Sequence, residues 1–234
     1  MSPPSRAEHR EDVTAAVLRI GRRHLAERGA AALSLRAVAR ELGMVSSAVY
    51  RYVDSRDELL TLLLVDAYTE QADAVTAAVE AVRGRPWDER LLAAATAFRS
   101  WAVDEPARYA LLYGSPVPGY AAPPERTIEP GTRVVTALLR LVAEGVAAGD
   151  IVDDAAYVVA PDALVEDLTR VGADLDLAAG PAVLGRAVAL WAVLVGATSL
   201  EVFGQYGADT FTEPAALFEH QLGLALATLR AATP

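Results

Sequence analysis

Between Leu35 and Leu60 the chain reads LRAVARELGMVSSAVYRYVDSRDELL, and three helix boundaries within so short a stretch leave few folds open. Val38, Ala39 and Leu42 recur at helical spacing and give a short helix one apolar face, while Arg36, Arg40 and Glu41 point elsewhere. Gly43 suits the left-handed backbone that ends such a helix. The next helix is expected over Ser46 to Val53, with Ser46 as its N-cap and Ala48, Val49 and Tyr52 or Val53 available for packing. Ser55 and Glu58 then form a Ser-x-x-Glu capping box before the apolar run Leu59 to Val65, which starts a third helix almost at once. Helix, glycine turn, helix, new helix is the pattern of a helix-turn-helix that reads DNA.

The remaining segments are helical by the same criteria, and none alternates as a strand would. A first helix spans about Ala7 to Arg28 and stops at Gly29, and the helix beginning near Asp57 continues to about Val82. Pro86 introduces a helix carrying Leu91, Leu92, Ala95, Phe98 and Trp101, and another short one runs from Pro106 to Gly114. Ser115 to Gly131 holds five prolines and reads as loop, with a helix resuming over about Thr132 to Gly149. An acidic stretch with Pro161 leads to a short helix ending near Arg170. Two long segments, about 181–206 and 213–231, are apolar around more than one face. Such helices need burial on two sides, from a large single-chain core or from a second copy of the chain, and a homodimer through these two segments is the economical solution.

Charge sorts the chain in two. The net charge of −10 argues against a nucleic-acid partner until it is divided: residues 1–60 carry ten arginines against eight acids, and the remainder eleven against twenty-three. A mildly basic head on an acidic body offers phosphates one face. All 21 cationic side chains are arginine, which reads as compositional bias of the source genome. There is no cysteine, so no disulfide or thiolate metal site. His9, His24 and His220 lie too far apart to suggest a metal by local spacing, and no metal or cofactor is expected. Without a signal-peptide core or a charge-free span of membrane length, a soluble cytoplasmic protein is expected, with no membrane partner.

The head resembles the TetR family of transcriptional regulators. The residues that carry the likeness are Tyr50-Arg51-Tyr52-Val53-Asp54-Ser55-Arg56-Asp57-Glu58-Leu59, and back through Gly43, Leu42, Ala39, Val38 and Leu35 to Gly29. Val53 stands where that family commonly has phenylalanine. The body is similar, over Pro106 to Gly114, Pro118-Gly119-Tyr120 and Trp191 to Gly196, to actinobacterial members whose C-terminal domain is named for a Trp-His-Gly signature. Val195 occupies the histidine position, so no metal or acid–base role carries over. The resemblance implies an all-α fold: a three-helix DNA-binding domain over 1–56, then a helical effector-binding and dimerisation domain over 57–234.

It also implies roles for residues. The helix from Ser46 enters the major groove with Ser46, Ser47 and Ala48 toward base edges and Arg51 reaching guanine or phosphate, unless these residues merely cap and build the helix. Tyr50, Tyr52, Arg56 and Arg36 are expected on the phosphate backbone, with one tyrosine packing partly inward. In the body, Phe98, Trp101, Tyr109, Leu112, Tyr113, Tyr120, Leu138 and Trp191 are candidates for an effector pocket, and ordinary core packing explains the same residues. The implied function is a ligand-responsive regulator, a dimeric repressor of a palindromic operator released by a small molecule. An all-helical enzyme or a scaffold that does not bind DNA is the alternative. No catalytic motif assembles for the enzyme, and acids such as Glu166, Asp167 and Glu201 read as solvated helix faces.

Overall fold

A computed structural model describes residues 6–153 and 160–230. Part of the acidic stretch before Pro161, and Ala231 at the expected end of the last helix, lie outside them. The described residues form α1 (Arg6–Arg28), a 3-10 turn (Ala30–Ala32), α2 (Leu35–Glu41), α3 (Ser46–Val49), α4 (Arg56–Ala81), α5 (Trp87–Asp104), α6 (Pro106–Tyr113), α7 (Pro124–Ala147), α8 (Asp162–Asp174), α9 (Pro181–Val202) and α10 (Pro214–Ala227). No strand occurs among them, and the fold is all-α.

The chain divides into two compact units, residues 1–70 with 105–131 and residues 71–104 with 132–234. The unit containing the helix-turn-helix is therefore larger than residues 1–56, since it takes in the first half of α4, all of α6 and the start of α7. Val38, Ala39 and Val49, expected on packing faces, are buried in its core, while Leu42 is half-buried at its edge. Val17, Ile20 and Leu25 of α1 meet Val38 and Ala39 of α2, Val49 of α3 and Leu59, Leu60 and Leu63 of α4, all buried, and Leu111 of α6 packs against this cluster. Each fully buried aliphatic side chain contributes about 2 kcal/mol by leaving water, which is how helices as short as α2 and α3 persist where neither would form alone.

Local chemistry fixes the ends. The Ala37 amide donates to the Ser34 hydroxyl at 3.4 Å and caps α2. At its other end Gly43 has φ +68°, and the amides of Gly43 and Met44 reach back to the carbonyls of Arg40 and Ala39 at 3.2 and 2.9 Å. This is the left-handed helix stop that Gly43 suits. The Glu58 amide donates to the Ser55 hydroxyl at 3.0 Å, one half of the expected capping box. The other half is not made, because the Glu58 carboxylate accepts from Arg126 Nη1 at 2.6 Å instead.

Two expectations need correction. Ser46 does not cap α3: the cap position is Val45, whose side chain makes no capping bond, and Ser46 is the first helical residue. The proline-rich segment is loop only as far as Pro123, since Pro124 begins α7 and Pro130 lies inside it, buried. Proline at a helix start costs nothing because its missing amide would be unpaired there anyway. At Pro130 the helix gives up one backbone bond and gains contact. The adjacent Gly131 lets the helix approach the Tyr68 ring so closely that an added Cβ would sit 3.3 Å from it.

In the second unit α9 is central, with α5, α8 and α10 packed on it. Leu184, Leu190 and Leu194 of α9, Leu91 and Phe98 of α5, and Phe218 and Leu222 of α10 are buried. Arg99 of α5 and Glu201 of α9 form a two-point ion pair, with Nε to Oε2 at 2.7 Å, and the guanidinium lies 5.7 Å from the centre of the Phe218 ring. α9 is long and apolar enough to cross a membrane by length and composition alone. Here it is a core helix. Its buried Arg186 donates to the carbonyls of Val152, Thr228 and Leu229 at 2.7, 3.2 and 3.3 Å.

Candidate nucleic-acid interface and helical body

Ser46, Ser47, Tyr50 and Arg51 are exposed on and just beyond α3, and Ala48 is half-buried between them. Regular helix stops at Val49, but the bonds from the Tyr52 and Val53 amides to the Val49 carbonyl, at 2.9 and 3.0 Å, carry the helical turn on to Val53. Val49 and Val53 anchor this turn in the core, so the remaining faces are held outward by packing rather than by caps. Arg10 of α1 steadies its end by donating to the Arg51 carbonyl at 3.2 Å. Arg36 is exposed on α2.

The two tyrosines separate as expected. Tyr50 is 41% exposed, whereas Tyr52 packs against the core with its ring edge-on to His9, 6.4 Å between centroids. Arg56 is half-buried and bound to the protein's own backbone. Its guanidinium donates to the carbonyls of Leu33, Ala30 and Ala31 at 3.1, 3.0 and 3.1 Å, and so closes the end of the 3-10 turn onto the start of α4. The Ala30 carbonyl already accepts from the Leu33 amide at 3.3 Å, and the fixed guanidinium fork adds a second donor there while reaching the Ala31 and Leu33 carbonyls as well.

Alongside this surface lie hydrogen-bonded and ionic contacts that sequence spacing does not signal. His24, buried to 4% exposure, bonds Glu41 through Nε2 at 2.9 Å, and Arg23 pairs with the same carboxylate. Burial, helped by the nearby charge of Arg28, holds the His24 pKa below its ordinary 6.5. Arg22 of α1 grips Asp66 of α4, and Arg108 of α6, at 3% exposure, donates to Asp66 and to Glu70 at 3.1 and 2.6 Å. The hydrogen bond to Asp66 raises the Arg22 pKa further. Sequence spacing offers no signal for these pairs, because the partners are 17 to 44 residues apart.

The eight pocket candidates fall in both units. In the first, Tyr109 is fully buried while Leu112, Tyr113 and Tyr120 are half-buried. Tyr113 stacks at a tilt on Tyr109, 4.9 Å between centroids, and meets Tyr68 edge-on at 6.5 Å. Burial, with Tyr68 and Tyr109 adding to it, pushes the Tyr113 phenol far up, so it stays neutral at any physiological pH. The Tyr120 and Thr61 hydroxyls are 3.0 Å apart. In the second unit Phe98, Trp101 and Leu138 are buried, and Trp191 meets Phe98 edge-on at 5.5 Å. Glu201 is not on a solvated face, since it is largely buried in its ion pair with Arg99, whereas Asp167 is exposed and pairs with Arg170. Among the described residues no group of three or more histidines and acids could hold a metal.

Two grooves open on the second unit. One, of 490 Å³, lies between α9 and α10, lined by Val193, Gly196, Leu200, Leu224 and their neighbours, with Tyr206 and Gln221 hydrogen-bonded at its edge. The other, of 450 Å³, runs between Ala78 on α4 and Leu92, Thr96 and Ser100 on α5. Neither is lined by any of the eight candidates.

Comparison with known proteins agrees with this architecture. Residues 17–63 match the family model described as bacterial regulatory proteins, tetR family, and residues 91–225 match that of the tetracyclin repressor-like C-terminal domain. HTH-type transcriptional regulators of Mycobacterium bovis and Mycobacterium tuberculosis are 52% identical over 226 residues, covering 96% of this chain and 95% of theirs. The crystal structure of the regulatory protein SCO4313 superposes with a TM-score of 0.77 at 36% identity, covering 96% of this chain and all of that one. A tetR-family regulatory protein from Rhodococcus RHA1 shares the fold, with a TM-score of 0.62 at 18% identity, 98% of this chain and 100% of that one being covered. With its head and its body each matched, and close relatives spanning nearly its whole length, the chain belongs to the TetR family of helix-turn-helix transcriptional regulators.

Proposed function

We propose that the chain is a cytoplasmic, homodimeric repressor that reads a palindromic operator and lets go of it when a small molecule binds the body. Residues 1–56 carry the DNA-reading role and 57–234 the effector and dimer roles. In each subunit the turn from Ser46 to Val53 enters the major groove. Ser46, Ser47 and Ala48 meet base edges, Arg51 reaches guanine or phosphate, and Arg36 and Tyr50 hold the backbone. Tyr52, partly inward, contributes its hydroxyl edge. Arg56 acts one step removed, by fixing the turn on which α4 starts.

The observation that carries the dimer is the groove between α9 and α10. Leu224 at its rim is 60% exposed, and Val193 and Leu200 are also exposed. A row of apolar side chains of this size on two adjacent helices is what a two-fold helix-to-helix interface buries. Two heads related by that axis would read half-sites about 34–36 Å apart, or a multiple of it. For the effector, the neutral tyrosines around Tyr113 and the Phe98–Trp191 pair favour an apolar or amphipathic molecule. It would act by preferring the head separation that does not fit DNA.

Sedimentation velocity on the wild type and on Leu224→Glu tests the dimer. A two-chain wild type and a one-chain variant with native helicity are expected. Genomic footprinting of the wild type tests the operator. Protected sites without two-fold symmetry would remove the palindromic reading.

A further inference from the structure

Residues 6–70 expose two large apolar side chains, and they sit at the two ends of the same helical turn: Tyr50 at 41% and Val45 at 71%, the highest exposure of any large hydrophobic residue described. Val45 holds the cap position of α3 with φ −66° and ψ +141°, and its side chain makes no capping bond. Valine is among the poorest residues there, since serine, threonine, aspartate or asparagine would hold an otherwise unpaired amide. Two costs therefore coincide at one residue, a missing cap and an isopropyl group left in water. Neither is relieved within the head, where Val49 and Val53 already anchor the turn.

We infer that Val45 is a base-reading residue whose isopropyl group covers the C5 methyl of a thymine, and so helps set operator sequence. The inference rests on the proposed entry of α3 into the major groove. There the thymine methyl is the one apolar feature a base edge presents, and an aliphatic side chain is its complement. Exposed Ser46 and Ser47 follow directly along the chain and offer hydroxyls to the polar edges of adjacent bases. The apolar and polar contacts would thus be laid out in chain order. Tyr50 at the far end has a hydroxyl for phosphate, which Val45 lacks, so a backbone role does not account for Val45.

The test is a two-by-two comparison of protein and base. The full-length chain first selects its site from a random duplex library. Binding of the wild type and of Val45→Ser is then measured on the selected duplex, and on duplexes in which each thymine of one half-site is replaced by deoxyuridine, which lacks only the methyl. The wild type is expected to lose about fourfold in affinity at one thymine per half-site, the worth of one buried methyl. Val45→Ser should be indifferent to the same replacement. Because serine restores the cap, this variant is expected to melt no lower than the wild type, so weak binding by it is not unfolding. A thymine contacted by Ala48 would lose the same factor with both proteins and is thereby told apart. Equal losses with both proteins at every position, or no loss with the wild type anywhere, would overturn the inference while leaving DNA binding intact. Failure of the wild type to enrich any duplex would overturn the DNA-reading assignment itself, and this inference with it.

Discussion

Arg22 of α1 and Asp66 of α4 form a two-point ion pair, with Nε to Oδ2 at 2.8 Å, and the same carboxylate accepts from buried Arg108 of α6 at 3.1 Å. One acid thus joins three helices. Removing a partner from a buried pair costs more than the pair contributes, because the remaining charge is left in a poor solvent. Asp66→Asn should destabilise the first unit by about 3 kcal/mol, somewhat eased by the bond from Arg108 to Glu70. Urea unfolding followed by far-UV circular dichroism would measure this. Trp87, Trp101 and Trp191 all lie in the second unit, so tryptophan fluorescence should shift less than the dichroism.

That network was invisible in the sequence, while the helix-turn-helix was plain there, and the contrast has a physical cause. Gly43, Ser55 and the spacing of Val38, Ala39 and Leu42 act on neighbours a few residues away, so one line of letters contains the whole interaction. Arg22, Asp66 and Arg108 meet only after three helices have packed. The start of α7 is hidden for a related reason: Pro124 costs nothing as a first helical residue, and Pro130 forbids helix only when its local cost is counted alone. Serine is a good cap wherever a chain enters a helix, so Ser46 draws the expected entry one position past Val45, where it falls. For the pocket, aromatic residues in a helical body look the same whether they face a ligand or a core. Tyr109 and Phe98 are fully buried, and no spacing rule would have separated them from Tyr113.

Stability of the head should fall in mild acid. Burial holds the His24 pKa below 6.5, with Arg28, Arg23 and Arg40 acting in the same direction, Glu27 opposing, and Glu41 in contact at 2.9 Å. A histidine that is neutral when folded and free to charge when unfolded binds fewer protons in the native state. Its contribution is therefore complete above 6.5 and is lost as pH drops from there through the lower folded value. Urea midpoints between pH 8 and 5 should decline over that window in the wild type and decline less in His24→Gln. A midpoint that rises on acidification would mean that the Glu41 contact outweighs burial.

Arg36 and Arg56 should separate DNA binding from folding. Arg36 is exposed, and Arg36→Ala is expected to leave the melting temperature unchanged and to lower the slope of log affinity against log salt by about one, the signature of a lost phosphate contact. Arg56 supplies donors to Ala30, Ala31 and Leu33. Arg56→Ala should cost about 2 kcal/mol of stability, since partly buried carbonyls lose a donor. Its effect on DNA should be traceable to that loss, with the salt slope preserved in the folded fraction. A changed slope with unchanged stability would place Arg56 on the phosphates after all.

Arg186 offers the sharpest test of the body, because its charge is buried in the second turn of α9, a helix whose only other charged side chain is Glu201. Its guanidinium donates to the Thr228 and Leu229 carbonyls, at the end of α10, and to the Val152 carbonyl beyond α7. A cation at a helix C-terminus meets the negative end of the helix dipole and satisfies carbonyls with no helical partner. Arg186→Leu keeps much of the volume and raises the hydrophobicity of α9, so burial alone would make it neutral or stabilising. The carbonyls decide otherwise, since up to three would lose a donor at about 1 kcal/mol or more each. The expected result is a body destabilised by roughly 3 kcal/mol, read by tryptophan fluorescence in urea, with amide exchange near the end of α10 accelerated before the rest of the unit. If Arg186→Leu instead raised the unfolding midpoint, desolvation of the guanidinium would be the larger effect, and the bonds to the end of α10 would not be what holds that helix in place.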